Sequence, residues 1–257
     1  MFIGQDKLCT ELDILLPMLK DGRINTNILF RAPSGYGKTT LAFIMANYID
    51  KFGYYYYLPD SSGIISIHEG KRVHIVDEIH TCKNQEMLYP LMDSNEFIFI
   101  FTTNETGELK EPLQNRCTNY IFEPYSDVEL RQMINNVMVG NQMDFDYYSY
   151  IINYTRTPRV IVKICQRLTM LFSHYGVPNT ISEFIAIFEG ILNIRDGLDS
   201  EQMRYMQFLN SVPSASISLI SNAIRVDKAT IMRDIEPGLI YKNLITISSK
   251  GRTAVHG

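Results

Sequence analysis

Residues 25–43, NTNILFRAPSGYGKTTLAF, decide how the chain is read. Ile28 to Arg31 have the composition of a short buried strand, Ala32 to Gly37 that of a loop, and Lys38 opens a helix through Thr39, Thr40, Leu41, Ala42 and Phe43. Strand, glycine-bearing loop and helix in this order make a phosphate-binding P-loop. Gly35 and Gly37 permit the curled backbone that turns N–H groups toward an anion. The helix start adds partial positive charge. Pro33, Ser34, Gly35, Tyr36, Gly37, Lys38, Thr39 and Thr40 are therefore the candidate nucleotide-binding residues. Lys38 can reach the β and γ phosphates, and the Thr39 hydroxyl can hold a metal, so ATP and Mg²⁺ are the expected ligands. Ala32 stands where the motif has its first glycine.

Bulk properties bound the rest. A chain of 257 residues is about two domains' worth, and 46% hydrophobic content can fill real cores. A formal net charge of -4 excludes a protein coated in positive charge and leaves room for a local basic patch. There is no apolar run of about 18 residues, so no membrane span is expected. The opening MFIGQDKLCTELD lacks the basic region and apolar core of a signal peptide. Cys9, Cys82, Cys117 and Cys165 have no metal-ligand spacing, and without a secretion signal they point to a reducing, cytoplasmic setting.

Leu8, Leu12, Leu15, Leu16 and Leu19 make a helical stripe over residues 6–20. The tyrosine run from Tyr54 reads as a core strand, ending at Leu58, rather than a base-stacking surface, because β-propensity explains it without a ligand. Val73 to Glu78, VHIVDE, is a strand ending in two carboxylates. Asp77 suits Mg²⁺, and Glu78 suits activation of the attacking water. His80, just beyond, either couples the site to a neighbour or caps a helix. Phe97 to Phe101 form a further buried strand, ending at Thr102, Thr103 and Asn104, where a hydroxyl or amide could position water. Arg116 closes a short helix, and Thr118 to Phe122 give another strand.

These residues together resemble the AAA+ ATPases, and most closely the RuvB-type Holliday-junction branch-migration motors. The likeness rests on FIGQ at 2–5, APSGYGKTTLA at 32–42, VDEIH at 76–80, LYPLMD at 88–93, TTN at 102–104, PLQNRC at 112–117, TPR at 157–159 and IEPGLI at 235–240. It implies that Thr103 or Asn104 is the first sensor and that Arg116 is an arginine finger entering the next subunit's site. Arg159 is then the second sensor, and the assembly a homo-oligomeric ring or spiral, hexameric in such motors. RuvB-type proteins also carry a β-hairpin after the YPxMD segment that grips RuvA. Here only Ser94, Asn95 and Glu96 separate LYPLMD from FIFIF, too few for a two-stranded arm, so the expected protein partner is one other than RuvA. The Asn-Arg-Cys ending is similar to the Ser-Arg-Cys of clamp-loader subunits, which keeps an ATP-switched loader or adaptor as the alternative to a DNA translocase.

The remainder divides in two. Ser126 with Glu129, and Thr180 with Glu183, have capping-box spacing; they open helices to about Val137 and Leu192, with Pro158 starting a third between them. From residue 193 a linker leads to helices at 201–210, 215–223 and 228–241 and two strands, 244–247 and 253–255, joined by SSKGR. Three helices and a ribbon make a winged helix. Its excess of basic residues suits DNA, with Lys228, Lys250 and Arg252 the candidate phosphate contacts. The expected architecture is thus α/β: an AAA+ P-loop domain with a parallel sheet (1–123), a helical lid (124–192) and a winged-helix DNA-binding domain (193–257).

Overall fold

The computed structural model describes residues 2–59, 62–68, 70–104, 109–191, 193–195, 197–248 and 251–255, without the side chains of Ile191 and Arg233. The chain forms two compact units, Met1–Glu129 with Thr157–Arg159, and Leu130–Arg156 with Val160–Gly257. Among the described residues no helix is long and apolar enough to cross a membrane.

The first unit is built on a five-stranded parallel sheet in the order β2-β3-β4-β1-β5. Its strands are β1 (Asn27–Arg31), β2 (Tyr54–Tyr57), β3 (Val73–Val76), β4 (Ile98–Thr103) and β5 (Cys117–Ile121). Helices α1 (Asp6–Lys20), α2 (Lys38–Ile49), α3 (Tyr89–Asp93) and α4 (Glu111–Asn115) accompany it. The three central strands are apolar on both sides, as a doubly covered parallel sheet requires. Ile28, Phe30, Ile75, Ile98 and Ile100 pack with Leu12, Leu41 and Met45 of α1 and α2. The alternate residues Leu29, Val76, Phe99 and Phe101 pack with Leu88, Met92 and Leu113 on the other face. That period of two assigns each strand residue to its layer.

One expectation needs correction here. The tyrosine strand is not a core strand: it lies at the sheet edge, paired among the described residues with β3 alone, and Tyr56 is exposed. Aromatic β-propensity signals a strand but not its place in the order. From Asp93 the chain reaches β4 through bends at Ser94–Glu96, and no strand lies in that connection.

In the second unit, α5 enters from the first (Asp127–Val137), followed by α6 (Tyr148–Tyr154), α7 (Pro158–Tyr175) and α8 (Ile181–Ile191). At α5, Glu129 accepts from the Ser126 N–H at 2.6 Å and the Glu129 N–H reaches Ser126 Oγ at 3.4 Å, a reciprocal cap. At α8 half of the expected box forms, the Glu183 N–H donating to Thr180 Oγ1 at 3.2 Å, while the Glu183 carboxylate accepts from the Asn179 N–H, one residue earlier than expected. Then come α9 (Ser200–Asn210), α10 (Ile217–Ile224), α11 (Lys228–Thr230), α12 (Glu236–Tyr241) and the antiparallel ribbon β6 (Ile245–Ser248) with β7 (Gly251–Ala254). Asp199 and Gln202 close a full capping box on α9. The helix expected at 228–241 is not one α-helix; a π turn, Ile231–Ile235, separates α11 from α12. Pro237 has no N–H for the carbonyl four residues back, and the widened turn accommodates its ring.

His74 on β3 is fully buried, stacked on Tyr57 with ring centroids 5.8 Å apart and packed edge-on to Phe97. Burial holds its pKa below the usual 6.5, opposed by the bond to the Lys71 carbonyl. The unfolded chain therefore binds a proton that the folded chain refuses, and stability falls as pH drops below about 6.5. The limiting slope is about 1.4 kcal/mol per pH unit. Urea denaturation at pH 7.5 and 5.5 should show a loss in the wild type that His74→Phe largely lacks.

Candidate functional site

The phosphate loop runs from the end of β1 to the start of α2. Gly35 and Gly37 hold φ of 83° and 92°, a left-handed conformation that a side chain rarely adopts. Ala32 is not among the positive-φ residues, which is why a Cβ is accepted where the motif has glycine. Its N–H donates to the Thr103 carbonyl at 3.3 Å, tying the loop to β4. Lys38 is buried, and its Nζ donates to the carbonyls of Ala32 at 2.7 Å and Pro33 at 3.2 Å. Burial lowers its pKa, while Glu78 and Asp77 act to raise it. Thr40 is exposed on the first turn of α2.

Asp77 collects three hydroxyls from three elements. Thr39 Oγ1 donates to its Oδ1 at 2.9 Å, Thr102 Oγ1 donates to the same oxygen, and the Tyr56 hydroxyl donates to Oδ2 at 2.9 Å. Burial, then the bond to Asp77, pushes the Tyr56 phenol up to about 12. The Asp77 N–H donates to the Tyr57 carbonyl, so the edge strand holds both ends of this residue. A threonine hydroxyl beside a carboxylate is a hard-oxygen donor set that fits Mg²⁺.

Glu78 follows in a left-handed turn, φ 52° and ψ 45°, with its N–H donating to Thr102 Oγ1 at 3.1 Å. This turn separates the two acids: Asp77 faces the P-loop threonine, while Glu78 Oε2 lies 3.4 Å from His80 Nδ1. The same nitrogen is 3.1 Å from Thr103 Oγ1. His80 Nδ1 is within reach of both oxygens and so joins Glu78 to the end of β4. Asn104 Oδ1 is buried and without a hydrogen-bond partner among the described residues.

Arg159 joins this cluster through its backbone, its N–H donating to the Gly35 carbonyl at 3.2 Å, although its side chain is exposed. Arg116 does not join it. Its guanidinium grips Asp93 through Nε at 2.9 and 3.1 Å and Nη2 at 3.1 Å, and lies 4.9 Å from the Tyr89 ring centroid. A cavity of about 570 Å³ between α1 and β5, lined by Gln5, Glu11, Tyr120 and Glu123, contains none of these residues.

In the winged helix, Lys228 is exposed at the start of α11. Arg252 is engaged internally: its Nε donates to Glu236 Oε1 at 2.8 Å, which also accepts from the Tyr205 hydroxyl at 2.8 Å. Lys250 lies outside the described residues. The sequence reading missed Tyr56 and Thr102 as partners of Asp77. The alternation Tyr54, Tyr56 on one face of a strand was visible, but the neighbour of that strand was not.

A P-loop, a carboxylate pair at the end of the adjoining parallel strand and a polar strand end between them define an AAA+ P-loop NTPase fold, here with a C-terminal winged helix. Residues 195–256 match the family described as RuvB C-terminal winged helix domain. RuvB of Mycoplasma pneumoniae, a Holliday junction branch migration complex subunit, is 26% identical over 98% of this chain and 92% of its own length. RuvB of Campylobacter curvus is 28% identical over 98% of this chain and 86% of its own. The structure of the Thermotoga maritima RuvB Holliday junction branch migration motor superposes with a TM-score of 0.83 at 21% identity, covering 99% of this chain and 93% of that one. The chain is thus similar to RuvB-type AAA+ proteins over nearly its whole length, and its C-terminal segment matches their winged helix.

At Gly35 a Cβ would come within 2.8 Å of Thr157 Cγ2 and 3.1 Å of Arg159 Cβ. Gly35→Ala should add about 1–2 kcal/mol of backbone strain and push residues 157–159 off the loop. Nucleotide titration should show at least about tenfold weaker binding, since each 1.4 kcal/mol is tenfold.

Proposed function

We propose that this chain is an ATP-dependent DNA motor of the RuvB kind, working as a homo-oligomeric ring or spiral, with six subunits the expected number. The observation that carries the reading is the convergence of Lys38, Thr39, Asp77, Glu78 and Thr103 on the P-loop of one compact unit, in a chain that also holds a winged helix. The loop from Pro33 to Gly37 and the start of α2, Lys38 to Thr40, would hold ATP phosphates, and Thr39 and Asp77 would hold Mg²⁺. The chemistry a bound Mg²⁺ would supply there is neutralisation of phosphate charge. Glu78 orients and polarises the attacking water, and His80 with Thr103 fixes its carboxylate. Thr103 or Asn104 reports phosphate at the strand end, and Arg159 meets the nucleotide from its backbone anchor on Gly35. Arg116 serves a neighbouring subunit after leaving Asp93. The modules divide at about residues 123 and 192, and the winged helix grips DNA with Lys228 and Lys250.

A second reading, an ATP-switched loader or adaptor, is favoured by the short Ser94–Glu96 connection, which leaves no arm between α3 and β4. It predicts a protein partner bound elsewhere than that connection, and one other than RuvA. Branch migration of four-way DNA by the purified protein alone separates the two, because a loader shows none.

Glu78→Gln should bind ATP and not turn it over, whereas Lys38→Ala should lose tight binding. Arg116→Ala should bind ATP nearly normally and hydrolyse it about 10³- to 10⁵-fold more slowly. Mixing Arg116→Ala with Lys38→Ala should restore part of the activity, since each supplies what the other lacks at one kind of interface. Normal hydrolysis by Glu78→Gln would overturn the reading.

For the winged helix, Lys228→Ala and Lys250→Ala should each lower the slope of log affinity against log salt by about one unit. Arg252→Ala should instead cost about 3–5 kcal/mol of stability by stranding Glu236, whose side chain is 4% exposed. A salt series of DNA binding, with thermal melting alongside, tests both.

A further inference from the structure

Asp77 is held asymmetrically. Thr39 and Thr102 both donate to Oδ1, and among the described residues Tyr56 is the donor to Oδ2. If Thr39 turns its oxygen toward a metal, its bond to Oδ1 changes, and the carboxylate then depends on Thr102 and Tyr56 for its rotation. The two act from opposite neighbours of β3, since β4 carries Thr102 and β2 carries Tyr56. Tyr56 is itself set by packing: its ring lies 5.3 Å from that of Phe43 on α2, one turn beyond Thr39. Phe43 also contacts Tyr54 at 5.6 Å, so two tyrosines of the same strand face rest on it, but among the described contacts only Tyr56 reaches Asp77.

We infer that Tyr56 is a positioning residue for the Mg²⁺–nucleotide site, its phenol fixing the rotation of the Asp77 carboxylate from the edge of the sheet. This rests on the nucleotide-site reading above. Groups that orient a metal ligand from behind it set the ligand's effective affinity, and losing one typically costs 10- to 100-fold. The edge position leaves Tyr56 44% exposed, so removal of its hydroxyl leaves the core intact.

The test uses the full chain and a fluorescent, non-hydrolysable ATP analogue, titrated at a series of Mg²⁺ concentrations and again in EDTA. Tyr56→Phe should raise the half-saturating Mg²⁺ by about tenfold while leaving binding in EDTA and the melting temperature near wild-type values. Tyr54→Phe, which keeps the Phe43 packing and has no bond to Asp77, should match the wild type throughout. An unchanged Mg²⁺ midpoint in Tyr56→Phe overturns the inference. So does an equal loss with and without Mg²⁺, which would make Tyr56 a packing residue for α2. Wild-type protein that binds no analogue under any condition overturns the nucleotide-site reading, and the inference with it.

Discussion

The site depends on one carboxylate reached from three directions. Asp77 ends β3, and its two oxygens are bonded by hydroxyls from α2, β4 and β2. Each bond ties a separate element to the same point, so α2, β4 and the edge strand β2 share one reference position. The parallel sheet makes this geometry available, because all its strands deliver their carboxyl ends to one edge. Phosphate loop, acids and polar strand end therefore meet there.

Adjacent acids acquire different work through a single backbone choice. Glu78 adopts a left-handed conformation, which costs a non-glycine residue free energy and is kept only where the surroundings enforce it. The bond from its N–H to Thr102 is part of that enforcement. In consequence Asp77 stays with Thr39, whereas Glu78 swings to His80 and the end of β4. Arg116 illustrates the converse. A side chain expected to act on another subunit is held within its own by Asp93 and Tyr89. Being partly exposed, that ion pair is weak enough to exchange for a phosphate.

The winged helix shows a similar division of labour. A largely buried triad of Arg252, Glu236 and Tyr205 joins the wing strand to α12 and α9. Gly251 lets the wing approach closely: a Cβ there would stand 2.6 Å from the Ala215 carbonyl oxygen. A charge that reads as a surface contact in the sequence is thus part of the packing, and the exposed Lys228 is left facing solvent.

The sequence by itself determined the P-loop, the carboxylate pair, the buried strands and the helix-and-ribbon end of the chain. Local chemistry makes these legible: glycines where φ is positive, alternating apolar residues where a sheet is covered twice, capping pairs where helices begin. The tertiary structure decided which strands are neighbours, and with that the rest of the site. Nothing local to GYYYYLP says that its strand lies beside VHIVDE, yet that pairing delivers the Tyr56 hydroxyl to Asp77. Nothing local to RDIEPG says that Glu236 will meet Arg252. Strand order and long-range ion pairing arise from how whole layers pack, a property of the assembled sheet and helices rather than of any one segment.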